Sequence, residues 1–167
     1  MFERTNQLRR FFASPIGEVV ALVVLILIGT AMRLYRLGHE SLWGDEYYTW
    51  LISSMGSLTD VIDKVVSDEP HPPLLFVMYY YFVRWLPEGD FWLRLPSAVA
   101  GVLSLPLLYA ALRPWGRTLA MAAVALLVVS PMHIWYSQEA RMYSLFMLAA
   151  TAAVLGQVRA LRRGAPR

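Results

Sequence analysis

The sequence predicts an all-α integral membrane protein with about four transmembrane helices and a long first extracytoplasmic loop bearing membrane-parallel helices. Three observations lead there. Hydrophobic residues make up 57% of the chain and charged residues only 16%, against about 25% charged in soluble domains. The apolar residues gather in runs close to the roughly 20 residues that a span needs. Arginines and carboxylates collect at opposite ends of those runs, as the excess of Lys and Arg at cytoplasmic ends requires.

The net charge is +3, and its placement matters more than its sum, so nucleic acid is not an expected partner. The absence of cysteine excludes disulfides and thiolate metal sites. The first apolar run is followed by Arg33-Leu34-Tyr35-Arg36 and not by a small-residue cleavage site. It therefore reads as a span and not as a signal peptide.

Taken in order, residues 16–34 form the first span, with Glu18 near its start. Residues 95–112 form the second, which tolerates Pro96 and Pro106 because neighbouring helices re-satisfy the freed backbone groups. Residues 118–135 form the third, with Pro131 near its end, and residues 142–158 the fourth. Between the first two lies the extracytoplasmic loop 35–94. Its aromatic run from Leu74 to Leu86 would reach about 20 Å as a helix, short of a hydrocarbon core about 30 Å thick. Tyr79, Tyr80, Tyr81 and Trp85 suit the headgroup region. Residues 73–86 are thus expected to lie in the interface, with a short tilted fifth span as the competing reading.

Four spans place Arg4, Arg9, Arg10, Arg113, Arg117, Arg159, Arg162, Arg163 and Arg167 inside. Most carboxylates then fall outside. A fifth span would reverse Glu139 relative to Asp45 and put Arg113 and Arg117 outside. The expectation is a multi-pass protein of the plasma (inner) membrane, in one membrane domain, with both termini cytoplasmic.

Three clusters carry candidate chemistry, and a fourth feature supports them. In Trp43-Gly44-Asp45-Glu46, Gly44 permits a tight turn and Asp45 is placed to cap the helix that starts there. One carboxylate is a candidate general base; the bland reading is a cap beside a solvated acid. In Asp68-Glu69-Pro70-His71-Pro72-Pro73 the prolines stiffen the chain around His71. Asp45, Glu69 and His71 are candidate ligands for a divalent ion, and His71 is also a candidate for a lipid-linked phosphate. The bland reading is a stiff loop. In Ser137-Gln138-Glu139-Ala140-Arg141-Met142-Tyr143, an acid and a base stand at a membrane-helix end, where charge is costly without a role. Glu139 and Arg141 are two apart and face different ways on a helix, so each is expected to pair with another element. Arg141 suits a phosphate through its planar fork; the bland reading is interfacial anchoring. Arg94 stands at the outer mouth of the second span, placed for a phosphate or for a carboxylate of the first loop. Snorkelling is its simpler account.

The ordered set Trp43-Gly44-Asp45-Glu46, His71-Pro72-Pro73-Leu74, Arg94-Leu95-Pro96-Ser97 and Ser137 to Tyr143 resembles the N-terminal part of the C-superfamily glycosyltransferases. These use dolichyl- or polyprenyl-phosphate sugars, and include protein O-mannosyltransferases and the lipid A aminoarabinose transferase. The resemblance implies inverting transfer of a hexosyl or pentosyl group from a polyprenyl-phosphate donor to an acceptor on the extracytoplasmic face. It implies catalytic roles for Asp45 and Glu46, and donor-phosphate or substrate-binding roles for His71, Arg94, Glu139, Arg141 and Tyr143. Expected partners are the lipid-linked sugar and membrane lipid, with an unidentified acceptor. Family members are longer, so a second chain supplying further spans is a further expected partner. The alternative is a non-catalytic truncated membrane protein or subunit that binds lipid-linked sugar. A small transporter is disfavoured because the span interiors are almost free of charge.

Overall fold

The computed structural model describes residues 14–68 and 73–164. Among them the chain is helical, with no strand. The helices are α1 (Pro15–Leu34), α2 (Gly44–Ser53), α3 (Leu58–Asp68), α4 (Leu74–Trp85), α5 (Asp90–Leu112), a 3-10 turn (Arg113–Trp115), α6 (Arg117–Val128), α7 (Pro131–Ser137) and α8 (Tyr143–Gly164).

Local chemistry explains the boundaries. The Ser14 hydroxyl accepts from Gly17 N at 3.1 Å, with Pro15 at the first helical position of α1, where a missing N–H costs nothing. Helix α5 starts at Asp90, five residues before the expected second span. Gly89, at φ 130°, turns the chain there, and its carbonyl accepts from Trp92 N at 3.1 Å and Leu93 N at 3.2 Å. The helix then runs through Pro96 and Pro106 without ending.

Among the described residues three helices are long and apolar enough to cross a membrane, namely Pro15–Leu34, Asp90–Trp115 and Tyr143–Arg163. A fourth crossing requires α6 and α7 together, and these are bent by 61°. The segment expected as the third span, residues 118–135, is thus two helices that meet at a bend next to Pro131. Pro131 has no N–H to continue α6. Ser130 instead opens a new helix, its hydroxyl accepting from His133 N at 3.4 Å. Helix α4, at 12 residues, reaches about 18 Å and is too short to span.

Helix α5 is the hub, packing against α1, α6, α7 and α8. Leu105, Val124 and Val128 make the core between spans, joined by Leu22, Leu25 and Ile26. Two glycines set the close approaches. A Cβ on Gly29 would stand 2.5 Å from Leu105 Cδ1, and one on Gly101 would strike the Ser137 side chain. Ile16, Val19, Val23 and Leu27 stay exposed along one side of α1, as a lipid-facing stripe should. A second core of Ile52, Val61, Val65, Leu75, Phe76 and Tyr79 joins α2, α3 and α4, and meets the spans at Leu93 and Ala140.

The two ends of the bundle differ. At one, Glu18 pairs with Arg113 at 2.6 Å and lies 3.7 Å from Arg117, while Arg162 Nη2 donates to Pro114 O at 2.7 Å. At the other, α2 sits over the start of α5 and the turn 138–142.

Candidate functional site at the Asp45 end

Helix α2 begins with Gly44, and its N-cap is Trp43. Asp45 is therefore not the cap expected from the sequence; it is the second residue of the first turn. The Trp43 N–H instead donates to Glu46 Oε2 at 3.4 Å, the return half of a capping box. Both carboxylates lie where the helix dipole favours negative charge.

The neighbours then diverge. Glu46 is completely buried. Its Oε1 accepts from Arg94 Nε and from Ala140 N, both at 2.8 Å, and its Oε2 accepts from Arg94 Nη2 at 2.6 Å. One side chain thus ties α2, α5 and the 138–142 turn together. Arg94 also donates Nη1 to Leu37 O at 3.1 Å and to Glu40 O at 2.8 Å, and Nη2 to Ser41 O at 3.3 Å. Its donors are used within the chain, and burial with full pairing replaces snorkelling.

Asp45 keeps a side chain that is 52% exposed. Arg141 Nη2 lies 3.7 Å from its Oδ2, beyond ordinary hydrogen-bond length. Arg141 is buried; its Nη1 reaches Thr49 Oγ1 at 3.2 Å and Asp45 O at 3.4 Å, while its Nε has no partner among the described residues. Thr49 Oγ1 in turn donates to Asp45 O at 2.9 Å. The result is an exposed carboxylate beside a buried guanidinium with spare donors.

Behind this pair Tyr79 is fully buried. Burial pushes its phenol pKa up, so it stays protonated, 3.3 Å from Ser97 Oγ. Ser97 Oγ donates to Arg141 O at 3.2 Å. Gln138 Nε2 donates to the carbonyls of Met32, Arg33 and Tyr35 at 3.2, 3.3 and 2.9 Å, closing the end of α1. Glu139 is buried; its Oε1 accepts from Trp135 Nε1 and its Oε2 has no partner among the described residues. Burial first, then repulsion from Glu46 and Asp45, holds its pKa above the ordinary value, against the Trp135 hydrogen bond and the Arg141 charge. Tyr143 stacks on Tyr136 with ring centroids 4.3 Å apart. Deeper between the spans, Arg33 is buried without a carboxylate. It donates to Gly29 O at 2.9 Å, Leu127 O at 3.1 Å and His133 Nδ1 at 2.8 Å, covering a carbonyl freed by the break between α6 and α7.

The structure brings together Asp45, Glu46, Arg94, Arg141 and Glu139 of the expected set, with Tyr143 at the following helix start. Glu69 and His71 lie outside the described residues. Among the described residues no group of three or more His, Cys, Asp or Glu side chains gathers as a metal site, and the cation beside Asp45 is Arg141. Sequence reading gave no contacts to Thr49, Tyr79, Ser97, Gln138 or Arg33, which the structure places in this hydrogen-bond network. One signal was available: Glu46, Thr49 and Ser53 repeat at helical spacing and are all buried, a polar stripe turned inward.

A family profile described as dolichyl-phosphate-mannose-protein mannosyltransferase matches residues 70–167. No curated protein and no solved structure matches the chain. The match takes in Arg94, Glu139, Arg141 and Tyr143 and covers more than half of the chain. The chain belongs to the dolichyl-phosphate-mannose-protein mannosyltransferase family of membrane glycosyltransferases.

Proposed function

We propose that this chain transfers a sugar from a polyprenyl-phosphate donor to an acceptor on the extracytoplasmic face, by inverting single displacement. Asp45 is the base. It removes the acceptor proton as the acceptor oxygen attacks the anomeric carbon, and the polyprenyl phosphate leaves with the electron pair of the broken bond. Arg141 meets the phosphate charge. The observation that carries this reading is the divergence of the two neighbours: Glu46 is held by Arg94 and Ala140 N, while Asp45 stands half-exposed beside Arg141. Glu46 and Arg94 are positioning residues here. Glu139 and Tyr143 line the substrate side, and His71 contacts the donor phosphate. No step is routed through a metal.

In this reading the Asp45 end is extracytoplasmic and the Arg113 end cytoplasmic, in agreement with the clustering of Arg113, Arg117, Arg162 and Arg163. The exposed flanks of α1 and α8 leave room for lipid or for spans of a second chain.

The test is transfer from a short-chain polyprenyl-phosphate sugar by the purified chain, alone and with co-expressed membrane partners. Asp45→Asn is expected to lower turnover at least 100-fold, with donor affinity and melting temperature unchanged. Full turnover by Asp45→Asn would overturn the base assignment. Arg141→Lys is expected to weaken donor binding, because an ammonium cannot reproduce the fork.

A further inference from the structure

A groove of about 670 Å³ runs between α2, the end of α4 and the turn into α5. None of Asp45, Glu46, Arg94, Glu139 and Arg141 lines it, so it is separate from the centre described above. Its walls are aromatic. Tyr47 and Trp50 come from α2, with ring centroids 5.6 Å apart, and Phe82 and Trp92 come from α4 and α5. Tyr47 is 51% and Trp50 40% exposed, which leaves these walls open to an incoming ligand. The volume falls within the roughly 300–1,000 Å³ of small-ligand sites.

Charges of both signs face this groove without meeting each other. Arg84 lines it and is held in place. Its guanidinium lies 3.4 Å from the Tyr80 ring centroid, its Nη1 donates to Ser53 O at 3.1 Å and Tyr80 O at 2.7 Å, and its Nη2 donates to Met55 O at 2.6 Å. Nε and one Nη2 hydrogen are left over for a ligand. Glu88 and Asp90 line the same groove, and neither makes an ion pair among the described residues.

This lining selects the ligand. An anion alone, such as a polyprenyl phosphate or an acidic lipid, meets two carboxylates for one arginine. A small cation alone leaves the aromatic walls uncovered. A zwitterion with an apolar body matches all three features: an ammonium for the carboxylates and aromatic faces, a phosphate for the guanidinium, and methylenes for the walls. The carboxylates can only accept hydrogen bonds when ionised, and a primary ammonium brings three donors where a quaternary one brings none. Beside the groove, Tyr81 and Trp85 of α4 are exposed, the aromatic pattern of the lipid headgroup region. Phospholipid headgroups are therefore the ligands at hand.

We propose that this groove is a selective site for a zwitterionic aminophospholipid of the ethanolamine type. Its ammonium sits between Glu88 and Asp90, its phosphate meets Arg84, and its glycerol end lies on Trp50 and Phe82. The site stands whether or not the chain transfers a sugar.

The experiment is native mass spectrometry of the purified full chain in detergent, titrated with short-chain phosphatidylethanolamine, phosphatidylcholine and phosphatidylglycerol. Wild type is expected to hold the ethanolamine lipid at least tenfold more tightly than the glycerol lipid and at least threefold more tightly than the choline lipid. Glu88→Gln and Asp90→Asn are each expected to lose at least threefold for the ethanolamine lipid, and together at least tenfold, with the melting temperature unchanged. Glu88 is exposed on the turn before α5, so Glu88→Gln decides the matter should the double variant fail to fold. Trp50→Leu is expected to weaken all three lipids alike, because it removes a wall and no charge. The proposal is overturned if none of the lipids binds, if the choline or glycerol lipid binds as tightly as the ethanolamine lipid, or if Glu88→Gln binds as wild type does. Displacement of the ethanolamine lipid by an equal concentration of a short-chain polyprenyl phosphate, or of a lysine-containing peptide, would also overturn it, giving the groove to the donor or to a protein. Sugar transfer by a chain without this lipid preference removes the site and leaves the proposed activity standing.

Discussion

Arg94 grips Glu46 through two hydrogen bonds, Nε to Oε1 at 2.8 Å and Nη2 to Oε2 at 2.6 Å, with both side chains buried. This pair bolts the first-loop helix α2 to the start of α5. It also gives the two carboxylates of one dipeptide different surroundings, because Asp45 makes no such pair with Arg94.

Breaking that pair on one side leaves a buried charge without compensation, which costs about 3–5 kcal/mol. Glu46→Met alone or Arg94→Met alone should therefore destabilise the chain by that order, read as a loss of melting temperature in detergent. The double substitution should recover much of the loss, since neither charge is then stranded. Strict additivity of the two losses would show that the pair is not the source.

Gly101 is the notch that receives Ser137. A methyl there meets Ser137 Cβ at 2.8 Å. Gly101→Ala should cost about 1–3 kcal/mol by overpacking. Adding Ser137→Gly should restore stability relative to Gly101→Ala alone. Denaturation of the three variants in one detergent measures the coupling, and an unchanged stability for Gly101→Ala would mean α5 and α7 lie farther apart.

Glu139 gives a pH dependence with a definite sign. Its pKa is raised in the folded chain, by burial first, so the folded state holds this proton more tightly than the unfolded chain does. As pH rises above the ordinary carboxyl value of 4.5 towards the raised one, the unfolded state releases the proton first and stability falls. Glu139→Gln removes this term. The melting-temperature difference between wild type and Glu139→Gln should therefore move in favour of the glutamine variant from acidic to neutral pH. A pH-independent difference would refute the shift.

Gln138 closes the end of α1 by donating to three carbonyls. Gln138→Ala should cost about 1 kcal/mol, the usual net value of such bonds. It should also raise amide exchange locally around residues 33–37, with little change in α8. Uniform exchange across the bundle would argue against a local cap.

Much of the architecture was legible without coordinates. Spans reveal themselves by length and apolar content, because lipid leaves a backbone no partner but its own helix. Positions 16–34 and 142–158 came close to α1 and α8 for that reason, and the aromatic run after Pro73 was recognisably too short to cross. The direction of the 118–135 segment was not legible, because hydropathy does not register direction. Its break at Pro131 changes no residue's polarity, and only the 61° bend shows it.

The chemistry divides in the same way. The sequence by itself placed Asp45, Glu46, Arg94, Glu139 and Arg141 outside the long apolar runs, since charge within a span is costly. Which carboxylate stands free was decided by the tertiary structure alone. Asp45 and Glu46 are chemically near-identical neighbours, and their surroundings part only because about 100° of helical rotation turns one towards Arg94 and Ala140, far away in sequence, and the other towards Arg141 and solvent. Pairings across such separations are three-dimensional facts that local pattern does not carry.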